Sequence, residues 1–227
     1  MSSWPSDPAA LLFDLDGTLV DPEPGIVGSV RHALAGMGHE VDPDADLTWV
    51  IGPPLRQSFA TLLGGHGDPE TALTLYRERY GAVGLTEAAV YPGIPAALER
   101  LGGPARRLIV CTSKPRVFAV RVLEHFGLAR HFSAVYGAEL DGRFDDKGEL
   151  IAHLLAAEGL AADRALMIGD RKHDVLGAAR NGVAAVGVLW GHGDEAELRA
   201  AGAARLCRQP QALVSACLEP FAGGARS

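Results

Sequence analysis

Four short apolar runs set the pattern of this chain, and each breaks off into a polar turn. Ala9–Phe13 runs into Asp14-Leu15-Asp16-Gly17-Thr18, and Leu108–Cys111 into Thr112-Ser113-Lys114-Pro115. Ala165–Ile168 runs into Gly169-Asp170-Arg171-Lys172-His173-Asp174, and Val183–Leu189 into Trp190-Gly191-His192-Gly193. The apolar residues do not alternate with polar ones, which is the signature of parallel strands buried on both faces. Phe132–Tyr136 is a candidate fifth strand. Helical patterns lie between the runs. Pro115–Phe126 opens with proline and would turn Val117, Val120 and Phe126 to one face. Lys147–Glu158 repeats Leu150, Ile151, Leu154 and Leu155 at helical spacing, and Val175–Asn181 closes at Gly182, a C-terminal cap. This alternation predicts a doubly wound α/β fold, whose ligands bind beyond the carboxyl ends of the strands. All the charged motifs fall at such ends.

The segment from Val20 to Tyr91 breaks the alternation and reads as helix only. Its stretches are Gly25–Met37, with Ile26, Val30, Leu34 and Met37 on one face, then Leu55–Leu63 and Asp68–Val83. The last opens with an N-cap aspartate followed by proline at the first helical position. The expected organisation is a core of residues 8–19 plus 92–220 and a small helical domain of residues 20–91, with proline-bearing linkers at Val20–Pro24 and Ala89–Pro95. The tail, Ala222–Ser227, is expected to fray.

Composition excludes some functions. With 227 residues, 48% hydrophobic and 22% charged, the chain can bury a full core. No apolar run reaches the ~18 residues that span a bilayer, and the start carries no basic patch followed by an apolar stretch, so no membrane partner and a cytoplasmic location are expected. Cys111, Cys207 and Cys217 have no metal-ligand spacing and read as reduced thiols. A net charge of −7 argues against a nucleic-acid surface. There are 18 arginines but only three lysines, Lys114, Lys147 and Lys172, and each lies beside one of the motifs.

Asp14-Leu15-Asp16-Gly17-Thr18 carries the most chemistry. Two carboxylates on a strand end and the turn after it can divide labour, one as nucleophile and the other as general acid and base. The bland alternative is a pair of turn-capping aspartates, and the position after a buried strand counts against it. This stretch resembles the signature of the haloacid dehalogenase-like hydrolase superfamily, and four motifs over residues 9–220 agree with it in order and spacing. The resemblance implies a Rossmann-like core with an inserted cap, and Mg²⁺-dependent phosphoryl transfer through an aspartyl-phosphate. It makes Asp14 the nucleophile and a metal ligand. It makes Asp16 the general acid and base, with its backbone carbonyl also on the metal. Thr112 corresponds to the hydroxyl of the second motif and, with Ser113, would hold phosphoryl oxygens. Lys147 matches the lysine of the third motif, although Gly148 replaces the usual following proline, which leaves Lys114 and Lys172 as competitors. Asp170 would be a direct Mg²⁺ ligand, and Asp174 would bond a metal-bound water or orient Lys147. Arg171 and His173 are read as packing or surface residues, and Gly191-His192-Gly193 as a weak phosphate loop.

The resemblance thus implies a phosphatase of small phosphorylated metabolites, of the phosphoglycolate phosphatase-like branch. Ile51–Arg56 resembles the cap loop of that branch, with Arg56 the candidate for an anionic part of the substrate. A phosphomutase of the β-phosphoglucomutase-like kind, a 5'-nucleotidase or pyrophosphatase specificity, and a non-catalytic binding module stay open. A dehalogenase is disfavoured, since that branch generally lacks the second acid and the metal. The physiological ester and the oligomeric state are not legible at this level.

Overall fold

The computed structural model describes residues 4–219, so the expected fraying of Ala222–Ser227 lies outside the described residues. Eight strands and nine α-helices are described: β1 Ala10–Phe13, β2 Val20–Asp21, α1 Glu23–Gly36, α2 Leu55–Leu63, α3 Pro69–Ala82, β3 Ala89–Val90, α4 Ile94–Leu101, β4 Arg107–Pro115, α5 Arg116–His125, β5 Ala134–Ala138, α6 Lys147–Glu158, β6 Ala165–Gly169, α7 Lys172–Arg180, β7 Ala184–Val188, α8 Glu195–Ala200, β8 Arg205–Cys207 and α9 Leu213–Leu218. Six strands form one parallel sheet in the order β5-β4-β1-β6-β7-β8. The chain runs outward from β1 in both directions, so β1 sits at the switch point, where the connections leave for opposite faces and a crevice opens.

Consecutive residues of the central strands point to opposite faces and join different cores. Leu11, Phe13, Leu166 and Ile168 pack into one buried cluster with Leu98 of α4, Leu123 of α5 and Leu213 of α9. Ala10, Leu12, Ala165 and Met167 pack into the other with Leu150, Ile151 and Leu154 of α6 and Val175 of α7. Both faces are covered, which is why these strands show no alternation.

α6 has the expected bounds: the Asp146 side chain caps it by accepting from Glu149 N at 2.9 Å, and Gly159 ends it in the left-handed conformation. α5 departs from expectation. It buries Phe118, Ala119, Val122 and Leu123, while Val117 is 51% exposed. β4 extends to Pro115, with a register shift between Thr112 and Pro115, and the helix starts one residue later. The short antiparallel pair of β2 and β3 and the edge strand β8 were not anticipated, being too short to carry a period.

Between β2 and β3 the α-structure is α1, α2 and α3. Asp68 caps α3 by accepting from the N–H groups of Glu70 and Thr71. Ile26, Val30, Leu34, Phe59, Tyr76 and Tyr80 bury their side chains in the cluster that covers one face of the sheet. Residues of all three helices also line a pocket together with Asp14, Asp16 and Thr112 at the strand ends. No helix among the described residues is long and apolar enough to cross a membrane.

Candidate active site

The carboxyl ends of β1, β4 and β6 meet where the sheet reverses. Asp14 leaves β1 with its N–H on the carbonyl of Ile168 at 2.9 Å, and Asp170 follows the last residue of β6. One carboxylate oxygen from each of Asp14, Asp170 and Asp174 lies within 4.8 Å of the others, and all three residues are buried. Sequence spacing alone could not bring Asp14 to Asp170; the pairing of β1 with β6 does it.

Lys147, the first residue of α6, reaches under this group. Its ammonium lies 3.0 Å from Asp14 Oδ1 and 2.8 Å from Asp174 Oδ1, and it donates to the carbonyl of Cys111 at 2.9 Å. Burial works against the charge, but Asp14 and then Asp174 outweigh it and hold Lys147 protonated well above the usual lysine range. Burial pushes the Asp170 carboxyl well up, and Asp14 and Asp174 add to the effect. Burial likewise raises Asp174, against the pull of Lys147. Three carboxyl groups crowd one ammonium in a desolvated place, and the upward push on Asp170 and Asp174 reflects how poorly they ionise together without a further positive charge. A divalent cation would supply that charge, and an all-oxygen donor set suits a hard one such as Mg²⁺.

The turn after β1 holds Asp170 in place. Thr18, fully buried, donates to Asp170 Oδ1 at 3.1 Å, and the N–H of His192 donates to Oδ2 at 2.9 Å. Trp190 Nε1 donates to the Thr18 carbonyl at 3.0 Å and ties the two loops together. Gly191-His192-Gly193 thus secures an acid. Gly17 has φ of +79°, and a Cβ built on it would come within 2.2 Å of Asp170 Oδ2. Only glycine fits that conformation and that approach. Gly169 has the same steric role toward the other acid, since its Cβ would meet Asp174 Cγ at 2.2 Å.

Asp16 stands outside the acid cluster. Both of its oxygens lie against the Lys114 ammonium, at 2.7 and 2.6 Å. Burial raises its carboxyl above the ordinary range, with Lys114 opposing. Of the three lysines that competed in the sequence, two serve these acids: Lys147 serves Asp14 and Asp174, and Lys114 serves Asp16. The third, Lys172, begins α7 and offers its N–H to Glu197 at 2.8 Å.

Asp14, Asp16, Thr112, Ser113, Lys114 and Arg56 line one pocket, roofed by Ile26, Val50, Leu55, Leu73, Tyr76 and Tyr80. Thr112 is buried at the end of the regular part of β4 and accepts from Lys114 N at 3.2 Å; it does not cap α5, which starts after Pro115. Arg56 stands at the mouth, already ion-paired with Glu70 of α3. Arg171, read as a packing or surface residue, packs: it donates to the Ile51 carbonyl of the inserted segment and, at 3.0 Å, to Glu197 of α8. Lys114, Thr18 and Tyr80 are the site residues the sequence reading did not assign. The scarcity of lysine beside the motifs was the one available signal for Lys114.

Fold and site define a doubly wound α/β enzyme with an acid-and-lysine centre at the switch point of its sheet. Residues 11–188 match the sequence model of the haloacid dehalogenase-like hydrolases, and the chain belongs to that family. A 5'-nucleotidase from Pseudomonas aeruginosa is 52% identical over 204 residues, covering 89% of this chain and 92% of that protein. The tyrosine-protein kinase PtkA of Mycobacterium tuberculosis is 42% identical over 194 residues, which are 85% of this chain and 66% of the kinase. A phosphoglycolate phosphatase from Agrobacterium fabrum is 35% identical over 201 residues, 86% of this chain and 85% of that protein. The crystal structure of a predicted phosphatase from Clostridium acetobutylicum superimposes with a TM-score of 0.89 at 38% identity, covering 95% of this chain and 100% of that one.

Proposed function

We propose that this enzyme is a Mg²⁺-dependent phosphatase of small phosphomonoesters, with Asp14 as nucleophile and Asp16 as general acid and base. The observation that carries the reading is that Asp14 and Asp16 open into one pocket while each is paired with a different lysine. Asp14 belongs to the acid cluster with Lys147, and Asp16 to Lys114. Two acids with separate environments suit two separate roles.

In the reaction, an Asp14 oxygen bonds to phosphorus as the ester P–O bond breaks. Asp16 gives its proton to the departing alkoxide. Asp16 then takes a proton from the water that attacks the aspartyl-phosphate, and Asp14 is released as a carboxylate with inorganic phosphate. Lys147 holds Asp14 in line, and Thr112 and Ser113 face the phosphoryl oxygens. A divalent cation held by Asp14, Asp170 and the Asp16 carbonyl would offset the charge on the phosphoryl oxygens, with Asp174 behind it orienting Lys147. Positioning and electrostatics supply most of the rate in such transfers.

Residues 20–91 act as a cap that excludes water and selects the leaving group. The pocket wall of Ile26, Val50, Leu55, Leu73, Tyr76, Tyr80 and Phe118 suits a leaving group with a broad apolar face. Together with the similarity to a 5'-nucleotidase, this favours nucleoside 5'-monophosphates over phosphoglycolate. A panel of both ester types, assayed with and without Mg²⁺, tests the reading. Phosphate release from nucleoside monophosphates that stops when Mg²⁺ is removed is expected. Release from none of the esters would sink it.

A further inference from the structure

Lys114 has two kinds of partner. One is Asp16, and the other comes from the inserted helices: the ammonium donates to the hydroxyl oxygen of Tyr80, on α3, at 2.6 Å. It also lies 4.7 Å from the centre of the Tyr80 ring. That ring is held on two sides. It stacks on Tyr76 with centroids 5.3 Å apart and an 8° interplanar angle, and it meets Phe118 of α5 edge-on at 5.5 Å and 85°. The side chain is fully enclosed, and burial pushes the phenol well above its ordinary range, so the hydroxyl stays neutral. A lysine alone is a poor clamp, because its four-carbon stem is flexible. A third fixed contact restricts where the ammonium can stand. Proton transfer is sensitive to such placement, since displacements of about 1 Å can cost up to ~10²-fold.

We propose that Tyr80 is a positioning residue for the proton transfers at Asp16. Its hydroxyl pins the Lys114 ammonium astride both carboxylate oxygens, so the orientation of Asp16 depends on α3 being seated over the strand ends. The proposal rests on Asp16 being the acid and base. It links closure of the helices to readiness of the chemistry: with α3 lifted, Lys114 loses its third contact and Asp16 its fixed direction.

The test uses the Mg²⁺-loaded full-length enzyme and two esters. An alkyl phosphomonoester needs a proton on its leaving oxygen; p-nitrophenyl phosphate, with a stable leaving anion, does not. Tyr80→Phe keeps the ring and its stacking, and an unchanged melting curve checks the fold. The expected result is roughly a tenfold fall in kcat on the alkyl ester, a fraction of the ~10²–10⁴-fold that a whole acid–base contributes. KM and the pre-steady-state burst of p-nitrophenolate stay unchanged. In an Asp16→Asn background the Tyr80→Phe change has no further effect, because the two share one path. An equal fall in the burst and the alkyl rate, a change in KM alone, or no change at all would overturn the role of Tyr80 while leaving Asp16 in place. Wild-type turnover of the alkyl ester by Asp16→Asn would overturn the acid–base assignment, and Tyr80 with it.

Discussion

The ammonium of Lys147 lies 3.0 Å from Asp14 Oδ1 across 133 positions of sequence. It is also 2.8 Å from Asp174, so a single buried cation faces two of three clustered acids. Removing it as Lys147→Met leaves those acids without a counter-charge. Losing one partner of a buried ion pair typically costs about 3–5 kcal/mol. The variant is expected to unfold at markedly lower urea than the wild type when divalent cations are absent. Added Mg²⁺ is expected to recover part of the loss, since a ligand at 100 times its Kd stabilises by about 2.7 kcal/mol. A midpoint equal to wild type without Mg²⁺ would show that Lys147 is not the counter-charge of the cluster.

Asp14 and Asp16 are expected to respond differently to the same substitution. Asp14→Asn removes the attacking oxygen and abolishes phosphate release. Asp16→Asn lowers kcat by about 10²–10⁴-fold and leaves measurable turnover. Steady-state assay of the two variants side by side checks this, and equal near-wild-type rates would exclude both roles.

Gly17 is fixed by geometry. Gly17→Ala puts a methyl group 2.2 Å from Asp170 Oδ2 at a φ of +79°. The strained backbone alone costs about 1–3 kcal/mol, and Asp170 must move besides. Lower stability in urea and a reduced Mg²⁺-induced rise in melting temperature are expected. A variant with wild-type stability and the wild-type Mg²⁺ response would mean that the turn does not hold the acid.

The three thiols should be silent in the native protein. Cys111, Cys207 and Cys217 are buried, and burial pushes the Cys111 thiol up to about 12. At pH 8 that leaves a thiolate fraction of about 10⁻⁴, so a disulfide reagent should find no reactive group until denaturant is added. The folded-state pKa lies above the ordinary value near 9, so the native state keeps a proton that the unfolded chain gives up. The stability due to Cys111 is thus complete below about pH 9 and is lost as pH rises toward 12, by up to about 1.4 kcal/mol per unit. Unfolding midpoints measured for Cys111→Ala and wild type from pH 8 to 11 check the sign. A wild type that gains on the variant as pH rises would contradict it.

Much of the core could be read from the chain alone. The apolar runs around β1, β6 and β7, the bounds of α6 with Asp146 before it and Gly159 after it, and the aspartates at the strand ends are local features. Strand burial, helix periodicity and capping are decided within a few residues, so they leave a mark in a short window. The inward face of α5 is also written locally, in Phe118, Ala119, Val122 and Leu123, but apolar residues occupy most of the helix circumference, so the stripe of Val117, Val120 and Phe126 competes with it. Which lysine serves which acid was undecidable in one dimension, because it depends on β4 and α6 converging on β1 from distant places in the sequence. The same holds for Tyr80, which α3 sets edge-on against Phe118 of α5 with its hydroxyl at Lys114. Local preference wrote the strands, the helices and the motifs; packing of the sheet and of the helices over its ends chose the partners, since buried charges settle wherever three-dimensional neighbours can compensate them.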